Sequence, residues 1–472
     1  MRVRQDVWDL SDEDPWHPVL EWYARGVAEL RARDGDDFSD PTCWRYLAAI
    51  HGAGSEPAWP QGATWNRCEH WNWFFLPWHR VYLHYFEKAV RGAVVQLGGP
   101  DDWALPYWNY SDPQKPGRRA IPPAFRARTL PSGEDNPLFT DERNTDMNEG
   151  DQLHPHEVDL GGSLRTALFA GPSDGIPTGF GGTDAGAGAM GGSMGTLEKA
   201  PHGSVHMGVG GWMGAFNTAG FDPLFWLHHA NIDRLWEAWL AGMPGASNPD
   251  TPRWLDQSFD LGQGEHAVAM RVRDVLDTAA EPLGYQYASI DLPATAAGNG
   301  VFTAAAPTPE DAVPHDFPPE MVGANDHSVP LTTGTTSTRV PVSSPTGAMA
   351  AAVEEGVEPK IYLRIENVTG QQPASSTYLV HVNVPQGDDP AAHPELSAGR
   401  ITTFGVAEAS DRTDEHGGSG ISFTLDITPV ARLLLEKDAW VADEVAVTFT
   451  PVRPSGTGES DLRVGRVSVY YA

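Results

Sequence analysis

Seven histidines fall into two segments of the sequence, and their spacing within each segment suits metal binding. They are His51, His70 and His79 in the first segment and His202, His206, His228 and His229 in the second. Imidazole groups that lack a thiolate or carboxylate partner suit copper, zinc or nickel. Two groups of three imidazoles would leave coordination positions open to an outside ligand. This pattern favours a binuclear copper site over a closed structural zinc site.

Helical geometry limits which histidines of the second segment can bind one ion. His202 and His206 are four residues apart, so on a helix they share one face. His228 and His229 are adjacent and point about 100° apart on a helix, so only one of them can enter the same site. The spacing alone leaves open which of the two it is.

The first segment cannot place all its histidines on one helix. His70 and His79 are nine residues apart, which on a single helix puts them on opposite faces. Pro77 lies between them, and proline interrupts the interior of a helix. We therefore predict that His70 lies on a loop and that His79 lies within the helix that follows it. His84 points elsewhere on that helix and is expected to have a structural role.

Apolar residues recur at helical spacing around both segments and predict the elements that carry the histidines. One helix is predicted around Val19 to Leu30, and others over residues 41–50, 78–94 and 230–240. Glycine or proline follows the last three, as is typical of helix ends.

The chain of 472 residues is too long for one ordinary core and indicates two domains. Residues 1–290 are predicted as a mainly α catalytic domain with a four-helix bundle around the dicopper site. Residues 291–358 are rich in Pro, Ala, Thr and Ser and are predicted as a linker or extended connection. Residues 359–472 change to a period of two, which predicts a C-terminal antiparallel β-sandwich domain.

Composition excludes several classes of partner. The 63 acidic residues outnumber the 32 basic ones and give a formal charge of −31, which argues against binding to nucleic acid or anionic membranes. Cys43 and Cys68 are too few for a disulfide framework or a thiolate metal cluster. The start lacks an apolar signal core and no apolar run could span a membrane, so we expect a soluble, cytoplasmic protein. The oligomeric state is left open.

Several motifs resemble the tyrosinase, catechol oxidase and molluscan haemocyanin family. Residues 74–80, Phe-Phe-Leu-Pro-Trp-His-Arg, resemble its first copper signature, and residues 201–229 resemble its second. Residues 283–287 resemble the tyrosine motif that closes its catalytic domain. Residues 360–368 and 464–471 resemble the C-terminal domain of plant-type polyphenol oxidases. The chain is identified as a bacterial type-3 copper protein with a plant-type C-terminal domain.

The resemblance implies two copper ions, with O₂ as the co-substrate. The implied ligands are His51, His70 and His79 on the first copper and His202, His206 and His229 on the second. Relatives use the second histidine of the adjacent pair, so His228 is expected to lie beside the coordination sphere. Residues 3–7 resemble an opening strand whose arginine packs on the tyrosine motif. Asp233, one turn after His229, is expected to hold its helix or the neighbours of that helix.

Cys68 stands two residues before His70, and two roles are open for it. It could be a small buried apolar residue. In fungal tyrosinases and molluscan haemocyanins a cysteine at this place bonds to the histidine ring, so the resemblance implies a Cys68–His70 thioether. Cys43 has no such neighbour and is expected in the core.

Glu198 and Gly203 bear on the kind of phenol that is oxidised. Glu198 resembles the acid that orients a water near the second copper in plant-type enzymes, although it is equally compatible with a solvated carboxylate at a helix start. In those enzymes an Asn next to the first ligand of that copper helps the water to deprotonate monophenols. Here that position is Gly203, which predicts weak or absent monophenol hydroxylation.

Other residues are expected to shape access to the site. Phe225 resembles an aromatic packed over the coppers, Met207 would line the mouth, and Phe216 is a gate residue or ordinary core. In latent relatives the C-terminal domain covers the site and inserts a placeholder side chain. The turn at residues 417–421 is the candidate here, with Ile421 as the plug.

The resemblance implies a polyphenol oxidase that converts o-diphenols to o-quinones with O₂. An o-aminophenol oxidase of secondary metabolism is a second enzyme hypothesis. A haemocyanin-like O₂ carrier is the alternative from another class, although the chain contains one copper unit and no repeat.

Overall fold

The computed structural model of the chain describes residues 1–35, 40–53, 65–188, 193–292, 318–354, 356, 358–371, 375–411, 418–437, 440, 443–454 and 460–472. Two compact units are formed. The first comprises Met1–His70, Phe74–Val158 and Val205–Ala294, and the second comprises Trp71–Trp73, Asp159–Ser204 and Thr295–Ala472. None of the helices in the described ranges combines the length and the apolar character needed to cross a bilayer.

Helices are the main elements around the histidines. The α-helices up to residue 255 are Val7–Glu13, Pro18–Ala32, Trp44–His51, Phe75–Gln96, Pro123–Arg126, Thr145–Glu149, Pro155–Val158, Ser204–Val209, Phe216–Ala219, Pro223–Gly242 and Pro252–Leu255. A π-helical turn, Glu198–Gly203, runs directly into Ser204–Val209. The predicted helices are therefore present, with different ends.

Local capping explains where these helices begin. Helix Pro223–Gly242 starts seven residues before the predicted residue 230, because the Asp222 carboxylate accepts the Leu224 N–H at 2.8 Å and proline fits the first helical position. Helix Phe75–Gln96 includes Pro77 in its first turn, where no backbone hydrogen bond is lost. His70 consequently lies on the loop before the helix and His79 lies inside it, as the sequence predicts.

Aromatic side chains fill the core of the first unit. The ring centroids of Phe86 and Trp226 lie 3.5 Å apart in a stacked arrangement, joining the helices Phe75–Gln96 and Pro223–Gly242. Tyr82 and Trp226 lie 4.7 Å apart along the same seam. Large buried rings of this kind contribute most of the apolar area that holds such helices together.

The opening strand closes the first unit at the tyrosine motif. Strand Arg2–Arg4 pairs in parallel with strand Tyr285–Tyr287. The Arg4 guanidinium lies 3.6 Å from the ring centroid of Tyr285 and donates to the Tyr287 hydroxyl at 2.8 Å. The expected arginine–tyrosine contact is present.

Two antiparallel sheets form most of the second unit. In the first, the order is Ile421–Asp426, Ile361–Thr369, Arg463–Tyr471 and Glu320–Ala324, with Val329–Pro330 also on Arg463–Tyr471. In the second, the order is Ser397–Thr402, Thr377–Val382, Glu444–Pro451 and Thr336–Pro341. The period-two segments predict their strands correctly. The four-helix bundle and the sandwich packing stay predictions.

Residues 291–358 differ from the predicted linker. Strands Glu320–Ala324 and Thr336–Pro341 and helix Gly347–Glu354 lie within this range, while residues 293–317 lie outside the described part. Both strands are at sheet edges, where Pro, Thr and Ser are tolerated and the apolar alternation is weak. The composition of this range therefore gave no indication of the two strands.

The second unit also takes in part of the predicted catalytic domain. Residues 159–204 cluster with the C-terminal strands. Arg364 donates to the Asp174 carbonyl at 2.7 Å and the Thr424 hydroxyl donates to the Gly175 carbonyl at 2.8 Å. Contacts between segments so far apart in sequence leave no local signal.

Candidate metal centre

Three elements bring the first histidine group together. His51 is the last residue of helix Trp44–His51, His70 precedes helix Phe75–Gln96, and His79 lies in that helix. Ligand nitrogens of the three side chains lie within 4.8 Å of one another. The Nε2 atoms of His51 and His70 are 3.3 Å apart, and the rings are almost completely buried.

The second group is built by the segment Glu198–Val209, whose backbone departs from helical geometry at Ala200, and by helix Pro223–Gly242. Ligand nitrogens of four buried histidines lie within 4.8 Å of one another; these are His202, His206, His228 and His229. The Nε2 atoms of His206 and His229 are 3.2 Å apart. Both groups, as found among the described residues, consist of histidines alone.

Backbone carbonyls fix the orientation of four of the rings. The Nδ1–carbonyl pairs are His51 with Phe216 at 3.0 Å, His79 with Phe75 at 2.8 Å, His202 with Glu198 at 3.1 Å and His206 with Met213 at 2.7 Å. A ring that donates from Nδ1 keeps its proton there and presents the Nε2 lone pair. The donor set therefore fits metal ions bound through Nε2.

Burial keeps these rings neutral. It lowers the pKa of His51 to about 4, and the pKa values of His79 and His206 lie well below the ordinary value for the same reason. Neutral imidazole is the form that binds a metal, so no proton must be displaced near neutral pH.

The adjacent pair divides into two environments. His229 stacks on His79 with ring centroids 4.4 Å apart, which joins the two histidine groups. His228 has its Nδ1 2.9 Å from the Tyr110 hydroxyl, and burial lowers its pKa to about 3. The nitrogens of both histidines lie within the second group, so the choice of His229 as the ligand stays a prediction.

Two phenylalanines contact the histidine rings. Phe225 lies 4.9 Å from His51 and 4.2 Å from His229, measured between ring centroids. Phe216 stacks on His70 at 4.4 Å and supplies the carbonyl that orients His51. Phe216 is 5% exposed, so it is both a wall beside the first group and part of the core.

A buried ion-pair network connects the helices that carry His79 and His229. Arg80 donates to the Asp233 carboxylate at 2.5 Å. Asp233 also accepts from the hydroxyls of Tyr285 at 2.6 Å and Tyr287 at 2.5 Å, and Arg4 lies 3.4 Å away. Burial alone would oppose ionisation, but the two arginines lower the pKa of Asp233. Asp233 thus holds its helix in register with its neighbour, as expected.

Glu198 is fully buried, which excludes the solvated role. Its two carboxylate oxygens lie 2.9 and 3.0 Å from the Trp71 backbone nitrogen. Burial raises the pKa of Glu198 to about 8, although hydrogen bonds from the Trp71 and Gly195 backbones act in the opposite direction. A carboxyl in this environment retains its proton near neutral pH.

Gly203 and His202 contact residues of the C-terminal region within the second unit. A Cβ atom at Gly203 would lie 2.8 Å from Thr402 Cγ2, closer than real Cβ contacts allow. The Phe404 ring lies 5.5 Å from the His202 ring in an edge-to-face arrangement. Ile421, the predicted plug, is instead paired with Val368 in a sheet. Gly417, which begins the predicted turn, lies outside the described residues.

The remaining predicted residues have varied surroundings. Cys68 and Met207 are half-buried, and Cys43 is fully buried as expected. His84 is buried, which lowers its pKa to about 4, and it belongs to neither histidine group.

The sequence did not predict two side-chain contacts with the histidines. Tyr110 bonds His228, and Phe404 packs on His202, yet neither lies near a histidine in sequence. Only the tertiary structure brings these side chains to the site.

Comparisons with protein families agree with this arrangement. The common central domain of tyrosinase matches residues 41–242, and the polyphenol oxidase middle domain matches residues 248–297. A domain of unknown function, DUF7868, matches residues 318–472.

Curated relatives and solved structures extend the likeness over the chain. Tyrosinase HcTyr1 of Hahella sp. (strain CCB-MM4) is 35% identical over 503 residues, which cover 100% of this chain and 99% of that protein. Chloroplastic polyphenol oxidase of Spinacia oleracea is 30% identical, over 62% of this chain and 48% of the spinach protein. Latent apple tyrosinase shares the fold with a TM-score of 0.63 at 22% identity, over 100% of this chain and 97% of that chain.

The chain therefore belongs to the tyrosinase and polyphenol oxidase family of type-3 copper proteins, with a plant-type C-terminal domain. Enzymes of this family use a binuclear copper site and O₂, and the two histidine groups are arranged so that each could hold a metal ion. The protein is accordingly a polyphenol oxidase-like oxidoreductase.

Proposed function

We propose that the protein oxidises o-diphenols to o-quinones with O₂ and hydroxylates monophenols weakly or not at all. Each catechol gives up two electrons and two protons, and O₂ accepts four of each to yield two waters. Bound copper supplies the electron transfer and the O₂ binding. The proposed ligands are His51, His70 and His79 for one ion and His202, His206 and His229 for the other, held through Nε2.

The packing at Gly203 is the observation that carries the substrate preference. Removing a proton from a monophenol needs a base beside the copper. Gly203 has no side chain to hold a water there, and Thr402 occupies the space that a larger residue would need. Glu198 is buried, and its raised pKa of about 8 keeps the carboxyl mostly protonated near neutral pH, so little carboxylate is available to accept a proton. A catechol loses its protons more readily than a monophenol, so its oxidation depends less on a base beside the copper.

The walls of the site support a flat, single-ring substrate. Between them, Phe216 and Phe225 pack against histidines of both groups and present aromatic rings next to the proposed ligands. Met207 is half-buried next to His206 and is proposed to line the mouth. A small phenol can lie against these rings with little ordering cost.

The test uses copper-loaded protein and three matched substrates: 4-methylcatechol, p-cresol and 2-aminophenol. We expect fast quinone formation from the catechol and at least about a hundredfold slower oxidation of p-cresol, equivalent to nearly 3 kcal/mol in activation free energy. Comparable rates on the first two would overturn the preference. A higher kcat/KM on 2-aminophenol would favour the aminophenol oxidase, and O₂ binding without turnover would favour a carrier.

We also propose that the C-terminal region keeps the enzyme latent through Phe404. Its ring is 1% exposed and packs against His202, where the ring of a substrate would be expected. Latent apple tyrosinase shares the fold, which supports the proposal. Phe404 thus replaces Ile421 as the proposed placeholder.

A further inference from the structure

A cavity of about 370 Å³ lies in the first unit, apart from the histidine groups. Its lining includes Arg31, Asp34, Trp44, Arg45, Trp212 and Phe221. Trp44 begins the helix that ends at His51, so roughly 10 Å of helix separates the cavity from the first histidine group. The mechanism proposed above does not use this cavity.

Arg31 is the unusual member of the lining. It lies in the last turn of helix Pro18–Ala32, and its guanidinium is 5.2 Å from the Trp44 ring centroid. Among the residues that the structure describes, no carboxylate lies within ion-pair distance of it. By contrast, Arg25 pairs with Glu21 at 2.5 Å on the same helix. A partly buried guanidinium without an anion loses hydration that a bound carboxylate would replace.

The acidic groups near Arg31 already have other partners. Asp222 accepts from Arg143 at 2.6 and 2.7 Å and from the Leu224 N–H at 2.8 Å. Asp34 accepts the Arg45 N–H at 2.9 Å. Both carboxylates act on Arg31 only from beyond ion-pair distance, and Arg31 lines the cavity.

The aromatic side chains of the cavity wall indicate which group the ligand carries besides its carboxylate. The ring centroids of Trp212 and Phe221 lie 6.2 Å apart with their planes tilted by 56°, and the Trp44 ring next to Arg31 belongs to the same lining. Aromatic faces of this kind bury a flat apolar ring. The volume is at the lower end for ligand sites, which suits a single ring with a short chain.

We propose that this cavity is a binding site for a small aromatic carboxylate, whose carboxylate pairs with Arg31 and whose ring packs between Trp44, Trp212 and Phe221. The protein carries a formal charge of −31, so its general field repels anions. Binding here consequently depends on the local guanidinium. The site is separate from the copper centre and does not depend on which phenol is oxidised.

The test measures binding of 3-phenylpropionate to the copper-loaded full chain by isothermal titration calorimetry. Arg31→Gln is compared with Arg25→Gln, a matched control in which an exposed arginine on the same helix also stacks on a tryptophan, Trp22. We expect Arg31→Gln to weaken the affinity at least about tenfold and Arg25→Gln to leave it unchanged. The uncharged 3-phenylpropan-1-ol should bind about tenfold more weakly to the wild type.

Equal affinity in both variants would overturn the proposal, since the probe would then bind elsewhere, including at the copper centre. Catechol oxidation without added carboxylate should be the same in both variants. A second measurement avoids substitution: phenylglyoxal modification of Arg31 in the wild type, followed by mass spectrometry. The carboxylate should slow it and the alcohol should not; equal modification would also refute the site.

Discussion

The Nε2 atoms of His206 and His229 lie 3.2 Å apart, each on a buried ring. His228 instead has its Nδ1 2.9 Å from the Tyr110 hydroxyl. We expect His229→Ala to lower the copper content from two ions to about one per chain, while His228→Ala keeps both. Measuring the copper content of the two variants by mass spectrometry decides which histidine is the ligand. Copper loss in His228→Ala alone would reverse the assignment.

The buried ion pair between Arg80 and Asp233 joins the helices that carry His79 and His229. Asp233→Asn leaves two buried arginines without their shared anion, so the free energy of unfolding should fall by about 3–5 kcal/mol. Glu237→Gln is the control, because Glu237 also binds Arg80 but its side chain is 22% exposed, and about 1 kcal/mol or less is expected. Urea denaturation measures both. Equal losses would show that Asp233 has no special role.

Glu198 should make the copper-free protein less stable as the pH rises. Burial raises its pKa from 4.5 to about 8, so between these values the folded chain holds one more proton than the unfolded chain. The stabilisation is complete below pH 4.5 and is lost as the pH rises through about 8. Glu198→Gln cannot titrate, so its unfolding free energy should fall less over this range. Urea denaturation of both proteins at a series of pH values measures this. If the unfolding free energies of the wild type and Glu198→Gln change equally with pH, the raised pKa of Glu198 is disproved.

Phe404 should control access to the copper centre. Its removal raises the fraction of open sites, so Phe404→Ala should lower KM for 4-methylcatechol on the order of tenfold with less change in kcat. Ile421→Ala, in a strand of the same region, is the control and should leave KM unchanged. Steady-state kinetics with melting temperatures for both variants separates access from instability. If KM fell in Ile421→Ala and not in Phe404→Ala, Ile421 would be the residue that blocks the site.

Cys68 is expected to bond to His70 when copper and O₂ are present, with O₂ accepting the two electrons and two protons removed. The intact mass of the copper-exposed protein should then be lower by two hydrogens. Cys68→Ser should abolish the difference, whereas Cys43→Ser should keep it, because Cys43 is buried at a helix start and bonds the Tyr46 N–H. An unchanged mass in the wild type contradicts the thioether.

Local sequence was sufficient for much of the helical scaffold and for the candidate ligands. The spacing of His202 and His206, and the break between His70 and His79, follow from helix geometry within a few residues. Apolar alternation likewise marked strands such as Ile361–Thr369. It missed Glu320–Ala324, because an edge strand buries few side chains and its composition resembles a linker.

Long-range packing decided the rest. The carbonyl of Phe216 orients His51, and that of Met213 orients His206, so the metal-facing nitrogen depends on chain segments brought together by folding. The contact of Phe404 with His202 likewise joins residues far apart in sequence. Residue type and local spacing determine which side chains can bind copper. Which atom faces the site, and what lies against it, depends on tertiary contacts that carry no local pattern.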